Sequence, residues 1–168
     1  MSPLDLLFWL LPANFVVHVL DETLMNGGFV AKVQQHWWPE YNSLMFSWFN
    51  TVAMAAFVAS VLLYEVFGGH WVILPVLFVA ERWFHGFVFH IWWTVKYREY
   101  SPGLVSCVLA WILGYLITRA GLLAGSIAHV DFVVGGVIGF VASIVLALSP
   151  TVIFPGRAAR KAGRRPPR

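Results

Sequence analysis

The chain has 168 residues, enough for one domain, and is 60% hydrophobic and 17% aromatic. It is only 11% charged, less than half of the roughly 25% found in ordinary globular chains; with a mean hydropathy of +0.75, this composition excludes a soluble fold and is that of an integral membrane protein. The formal net charge of +3 does not indicate a nucleic-acid partner, because six of the eleven basic residues (Arg157, Arg160, Lys161, Arg164, Arg165, Arg168) fall in the last twelve positions and the remainder carries five basic against eight acidic residues.

Crossing the hydrocarbon takes about 20 predominantly apolar residues. Five segments qualify, which predicts an all-α, polytopic membrane helical bundle of five transmembrane helices over residues 1–155, followed by a disordered basic tail over 156–168. The first span runs from about Leu4 to Leu24, with Ser2 placed to cap and Pro3 at the first helical position. The second runs from about Ser43 to Phe67 and stops at Gly68-Gly69, and the third from Trp71 to about Thr94. The fourth begins at Pro102 behind a Ser101 cap and extends to about Ile127. The fifth covers roughly Val130 to Phe154, where "VVGGVIGFVAS" supplies small residues that let helices approach closely. Between the first two spans, "QHWWPEY" has the amphipathic aromatics of a membrane interface, and His36 reads as interfacial. The lone cysteine, Cys107, lies in an apolar stretch and reads as packing. The first residues lack a basic stretch and include Asp5, so no cleaved signal peptide is expected.

The basic residues orient the bundle. Lys32 lies in the first connection and Lys96 and Arg98 in the third, while the turns around Gly68 and His129 carry no Lys or Arg. By the positive-inside rule this places the N-terminus outside and the basic C-terminus in the cytoplasm, where the tail can also meet anionic lipid.

Ionisable groups inside such helices cost roughly 2.5 to 3.5 kcal/mol each at the bilayer centre and usually pair with one another and mark function. The first helix carries His18, Asp21 and Glu22, and the third Glu81, Arg82, His85 and His90. At about 1.5 Å of rise per residue, His18 and His85 both lie about 21 Å below the outer face, with Glu22 and His90 near 27–28 Å and Glu81 near 15 Å. His18 and Glu22 share a face, as do Glu81 and His85, each pair four residues apart. Asp21 sits about 60° to one side, within reach of the same cavity, whereas His90 lies about 140° round from His85 on an ideal helix. His90 therefore needs a bulge near Gly86 or a pocket of its own. Imidazole with carboxylate suits a divalent transition metal such as Zn or Fe, so His18, Glu22, Glu81 and His85 are the expected ligands, with Asp21 and His90 as further ligands or acid–base groups. The other reading is a hydrogen-bonded network that joins two helices. Arg82 can pair with an acid of the site or bind an anionic substrate. Asn50, on the inner half of the second helix, can line the cavity or bond between helices, as can Ser47 and Thr51. Glu65 and Arg119, at similar depth, are expected to form a salt bridge, and His70, His129 and Asp131 to face the outer interface.

The chain resembles the HXXEE family of small integral membrane proteins. The motif reads "HVLDE" here, with Asp21 in place of the first Glu, and "FHIWW" followed by "YREYSPG" brings His90, Tyr100, Pro102 and Gly103 into the family's later region. The resemblance implies a compact bundle with these residues near its centre. Together these readings point to a membrane-embedded, metal-dependent enzyme acting on a membrane lipid or isoprenoid-like substrate, with Asn50, Arg82 and Tyr100 in the substrate pocket. The rival readings are a metal-free acid–base cyclase or isomerase, and a transporter or accessory subunit with a buried proton relay. No organic cofactor is evident.

Overall fold

The computed structural model describes residues 2–25 and 28–153, with side chains through residue 146; the basic tail lies outside them. Among the described residues there are helices and no strands. Five helices are long and apolar enough to cross a membrane: Pro3–Leu24, Ser43–Phe67, Gly69–Tyr97, Leu104–Leu123 and His129–Leu146.

Helix α1 (Pro3–Leu24) starts on a capping box in which the Ser2 hydroxyl accepts from the Asp5 N–H and the Asp5 carboxylate answers the Ser2 N–H. Its buried stripe reads Leu4, Phe8, Leu11, Pro12, Phe15, His18 and Glu22, so the motif residues simply continue the face that packs the apolar core. A short helix, α2 (Phe29–His36), which the sequence reading left as interfacial connection, folds back beneath α1 with Phe29 and Val33 buried. α3 (Ser43–Phe67) is capped by the Asn42 carboxamide, which accepts from the N–H groups of Leu44 and Met45.

The third span is composite. A 3-10 turn (Gly69–Val72) leads into α4 (Ile73–His85), a π-helical segment occupies Gly86–Ile91, and α5 (Trp92–Tyr97) completes it. The extra residue of a π turn rotates everything beyond it about the helix axis, and Gly86 opens that segment. A Cβ at residue 86 would stand 2.8 Å from Trp111 Nε1 and 3.3 Å from Cys107 Cβ, so glycine is needed for α6 to lie this close.

The fourth helix corrects the expected boundaries. Ser101 does not cap it and Pro102 does not begin it; α6 spans Leu104–Leu123 with Gly103 at its N-cap, φ 96°. The Ser101 hydroxyl is used elsewhere, donating to the Phe89 carbonyl at 3.1 Å. At the far end the helix stops short of Ile127, which folds back against Gly121, where a Cβ would lie 2.2 Å from the Ile127 Cδ1. α7 (His129–Ile153) then packs along α4. Gly135 and Gly139 make this possible: a Cβ on Gly139 would stand 2.2 Å from the Leu77 carbonyl oxygen.

Two hydrophobic cores result. The larger joins α1, α3, α4 and α6 through Phe8, Leu11, Phe15, Phe57, Val61, Val76, Val79 and Ile117. The smaller is aromatic and lies at the other end, around Phe29, Val33, Tyr41, Phe46 and Trp93. Ion pairs tie each end together. His70 Nδ1 meets Asp131 at 2.7 Å, joining the 3-10 turn before α4 to the first turn of α7. Lys32 Nζ meets Glu99 at 2.6 Å, joining the connections after α1 and α5. Basic Lys32, Lys96 and Arg98 thus belong to one end of the bundle. The expected Glu65–Arg119 bridge is absent among the described residues; Glu65 accepts from the Trp9 indole at 2.7 Å instead.

Candidate functional site

Between the two cores, α1 and the composite third span bring four ionisable side chains together. His18, Glu22, His85 and His90 each offer one ligand atom, and these atoms all lie within 4.8 Å of one another. His18 Nε2 is 3.4 Å from Glu22 Oε1, and His90 Nε2 is 3.6 Å from the same oxygen. The imidazole centroids are separated by 5.6 Å for His18–His85, 5.1 Å for His18–His90 and 5.3 Å for His85–His90. The π segment is what admits His90, supplying the bulge near Gly86 that an ideal helix lacks.

Serine hydroxyls hold the Nδ1 side of two of the rings. Ser106 Oγ lies 2.9 Å from His18 Nδ1, and within 2.9 Å of both Asp21 Oδ2 and the Gly103 carbonyl oxygen. A hydroxyl has one proton, and the carboxylate and the carbonyl can only accept it. Ser106 therefore accepts from His18 Nδ1–H, which turns His18 Nε2 toward Glu22. Ser101 treats His90 alike: its hydroxyl donates to the Phe89 carbonyl and accepts from His90 Nδ1 at 3.1 Å. His85 turns Nδ1 toward Glu81 Oε1, 3.8 Å away. The Nε2 atoms of His85 and His90 are buried without a hydrogen-bond partner among the described residues. Three imidazoles and a carboxylate thus converge, with the Nδ1 atoms of two of the rings held by serines.

Gly103 closes one side of this group. A Cβ there would fall 2.5 Å from His90 Cε1, 2.9 Å from Glu22 Cγ and 3.0 Å from His18 Cε1.

Several expected site residues have other roles. Glu81 is outside the four-residue group; it forms a bidentate pair with Arg82, whose Nε and Nη2 donate to its two oxygens. His90 takes the place that the sequence reading gave to Glu81, because the π turn swings it inward. Asp21 is also outside the group. Its carboxylate accepts from the Tyr100 hydroxyl, the Ser106 N–H and the Ser106 hydroxyl at 3.1, 3.1 and 2.9 Å, so it holds the start of α6 against α1. Burial and the Asp21 carboxylate both push the Tyr100 hydroxyl pKa up, keeping it a donor. Tyr100 does not line the cavity described below. Cys107, read as packing, is buried with its Sγ 3.7 Å from His18 Nδ1. Ser101 and Ser106 were missed as orienting groups; their only sequence signal is a position next to the helix start that faces the motif.

A cavity of about 430 Å³ opens beside the group, lined by His18, Glu22, Glu81, Arg82 and His85 and walled by Phe15, Phe29, Val33, Trp37, Phe46 and Phe89. This is within the roughly 300–1,000 Å³ of small-molecule sites. Asn50 also lines it, its Nδ2 donating to the Phe46 carbonyl at 2.9 Å. Helix α2 forms the cavity's cover. It is fastened by Lys32 and His36 to Glu99 at 2.6 and 3.0 Å, and by the Trp37 indole to the Tyr97 hydroxyl at 3.2 Å. The hydrogen bond from Lys32 is the main cause that holds the Glu99 carboxyl below the ordinary carboxylate range. Tyr41, on the cavity wall, is pushed up by burial and by the nearby Glu22 charge, and so remains a phenol.

No curated protein and no solved structure matches the chain. A family model described as a protein of unknown function with HXXEE motif matches residues 9–118, which reach from α1 into α6 and contain every member of the four-residue group. The chain belongs to the HXXEE family, with His18 and Glu22 of the motif turned into the buried group and its first acid, here Asp21, bracing α6.

Proposed function

We propose that this protein is a membrane-embedded enzyme that uses a divalent transition metal, Zn or Fe, to act on a lipid or isoprenoid-like apolar substrate. The observation that carries this reading is the convergence of His18, Glu22, His85 and His90, whose ligand atoms all lie within 4.8 Å of one another; serines engage Nδ1 of His18 and His90, so that in neutral form both rings turn an Nε2 lone pair toward the Glu22 carboxylate. Acceptors facing one another without a donor repel unless a cation lies between them. For bonds of 2.0–2.1 Å, the edge of a tetrahedral site is about 3.4 Å, and the two Glu22 separations of 3.4 and 3.6 Å fit that edge. Ser106 and Ser101 act as the outer partners that fix the orientation of the His18 and His90 rings in such sites.

A metal here would supply Lewis acidity or an activated water. The chain's own residues hold it at the head of an apolar cavity, exclude bulk water through Phe29, Val33 and Trp37, and present Arg82 to the substrate. Lys32, Lys96 and Arg98 gather at the cavity's end of the bundle, which supports an opening toward the cytoplasmic leaflet with the N-terminus outside.

Metal analysis of the purified protein tests this. Wild-type protein is expected to hold about one Zn or Fe per chain. His18→Ala, Glu22→Ala and His90→Ala should lose it, and Glu81→Gln should retain it. Metal-loaded protein should convert a component of a membrane lipid extract, read by mass spectrometry, and Glu22→Ala should not. Folded protein that binds no metal after supplementation overturns the reading. A proton would then occupy the His18–Glu22 gap, in keeping with acid–base cyclase chemistry.

A further inference from the structure

Arg82 has an unusual position. Its side chain is only 8% exposed, its Nε and Nη2 are committed to Glu81, and its guanidinium carbon lies 5.1 Å from the Phe15 ring centre and 5.7 Å from that of Phe57. The remaining nitrogen, Nη1, is buried with no hydrogen-bond partner among the described residues, in a residue that lines the cavity. An unmet guanidinium donor in an apolar site is costly, and more so than a neutral one. Two aromatic rings and a bidentate carboxylate restrain the group, so Nη1 cannot easily swing away to find water.

The charge of the lining points to what meets it. The charged residues on the cavity wall are Glu22, Glu81 and Arg82. With a divalent ion among the histidines, the two carboxylates and one guanidinium leave a single positive charge in excess. A neutral carbonyl or alcohol could satisfy Nη1 but would leave that excess buried. A phosphate monoester carries about −1.5 to −2 charges and would overshoot it with one donor nitrogen to receive three oxygens. A monoanionic carboxylate satisfies the donor and balances the charge together, through the stronger charge-assisted bond. The rest of the wall, with Phe29, Phe46, Phe49, Phe89, Trp37 and Leu146, suits hydrocarbon.

We propose that the cavity takes an apolar monocarboxylate, such as a long-chain or isoprenoid acid, with its chain against the aromatic wall and its carboxylate on Arg82 Nη1. This assignment rests on the metal reading above and names the substrate class for that site. It makes Arg82 a specificity residue, selecting the acid over its ester.

The test compares labelled oleate, methyl oleate and oleyl alcohol on metal-loaded wild-type protein in zwitterionic nanodiscs, with metal content measured on the same samples. Oleate is expected to bind about tenfold tighter or more than either neutral probe, the scale of one charge-assisted hydrogen bond. Arg82→Met alone would strand the Glu81 carboxylate and endanger folding, so the variant is the double substitution Glu81→Gln with Arg82→Met. It should keep its metal and lose the preference for oleate. Stoichiometric metal with equal binding of all three probes overturns the carboxylate assignment and spares the metal reading. An oleate preference that persists in the metal-loaded double variant also overturns it. An Arg82-dependent oleate preference in protein shown to lack metal supports the assignment and overturns the metal reading instead.

Discussion

The two ends of the bundle are built differently although both are apolar. At the end near Gly68 and His129, α1, α3, α4 and α6 close on Phe8, Phe57, Val61, Val72 and Ile117, each at most 1% exposed. At the basic end, Phe29, Val33, Tyr41 and Phe46 are 5–8% exposed and surround a cavity, and the cover α2 is held by polar contacts to Glu99 and Tyr97. One half is close-packed and holds the helices in register. The other half leaves space beside the ionisable group and closes it with a short helix held by polar contacts. Positioning of His18 and His85 thus comes from the packed half, and if the cavity opens by a local motion, the half closed by polar contacts is where it is expected.

The contrast is most easily broken by truncating one aromatic in each half. Phe57 stacks between Phe15 and Phe78 at centroid distances of 5.1 and 4.1 Å, and Phe57→Ala should cost about 3–5 kcal/mol of unfolding free energy. Phe29→Ala only enlarges an existing cavity and should fall below that, at about 1–2 kcal/mol, since the loss depends on the new void. Denaturation in mixed micelles measures both, and equal losses would erase the distinction.

A pair of glycines separates packing from function. Gly103→Ala forces a Cβ onto His90 and Glu22 at a residue with φ 96°, and should cost about 1–3 kcal/mol while reducing metal content. Gly139→Ala meets the Leu77 carbonyl oxygen; it should destabilise the α4–α7 contact yet leave any metal in folded protein at the wild-type level. Metal analysis of the two folded variants decides between these outcomes.

The smallest effect concerns the cover. Because the folded Glu99 pKa is lowered, its contribution to holding α2 is complete above the ordinary carboxylate range. That contribution is lost as pH falls through the lowered value. Glu99→Gln should mimic low pH, removing under about 1 kcal/mol as expected for a partly exposed ion pair. Hydrogen exchange at Val33 to His36 should accelerate in the variant and in acid, while exchange in α4 stays slow. Equal acceleration in both would mean that α2 does not open on its own.

Much of this was legible from the residues themselves. Apolar length gave the five spans, and the four-residue spacing of His18 and Glu22 put them on one face. Depth counting brought His85 to the same level from another helix. His90 was harder, since its 140° offset is removed only by a π turn, and a π turn depends on Gly86 fitting beneath Trp111 and Cys107 on a different helix. Glu81 and Asp21 were drawn toward the group because residue type and periodicity cannot tell a ligand from its neighbour's partner. Arg82 and Ser106 claim them, and both claims are tertiary. Helix α2 was hidden because eight residues with two polar glutamines and a lysine have little helical signal until they dock on Trp93 and Phe46.

X-ray absorption at the metal edge decides whether His18, His85, His90 and Glu22 enclose a transition metal. The expected spectrum shows three imidazole nitrogens and carboxylate oxygen at about 2.0–2.2 Å, with one imidazole lost in His90→Ala and the ligands unchanged in Glu81→Gln. A sulfur scatterer from Cys107, a ligand set unaffected by His90→Ala, or metal-supplemented folded protein without an absorption edge would contradict it.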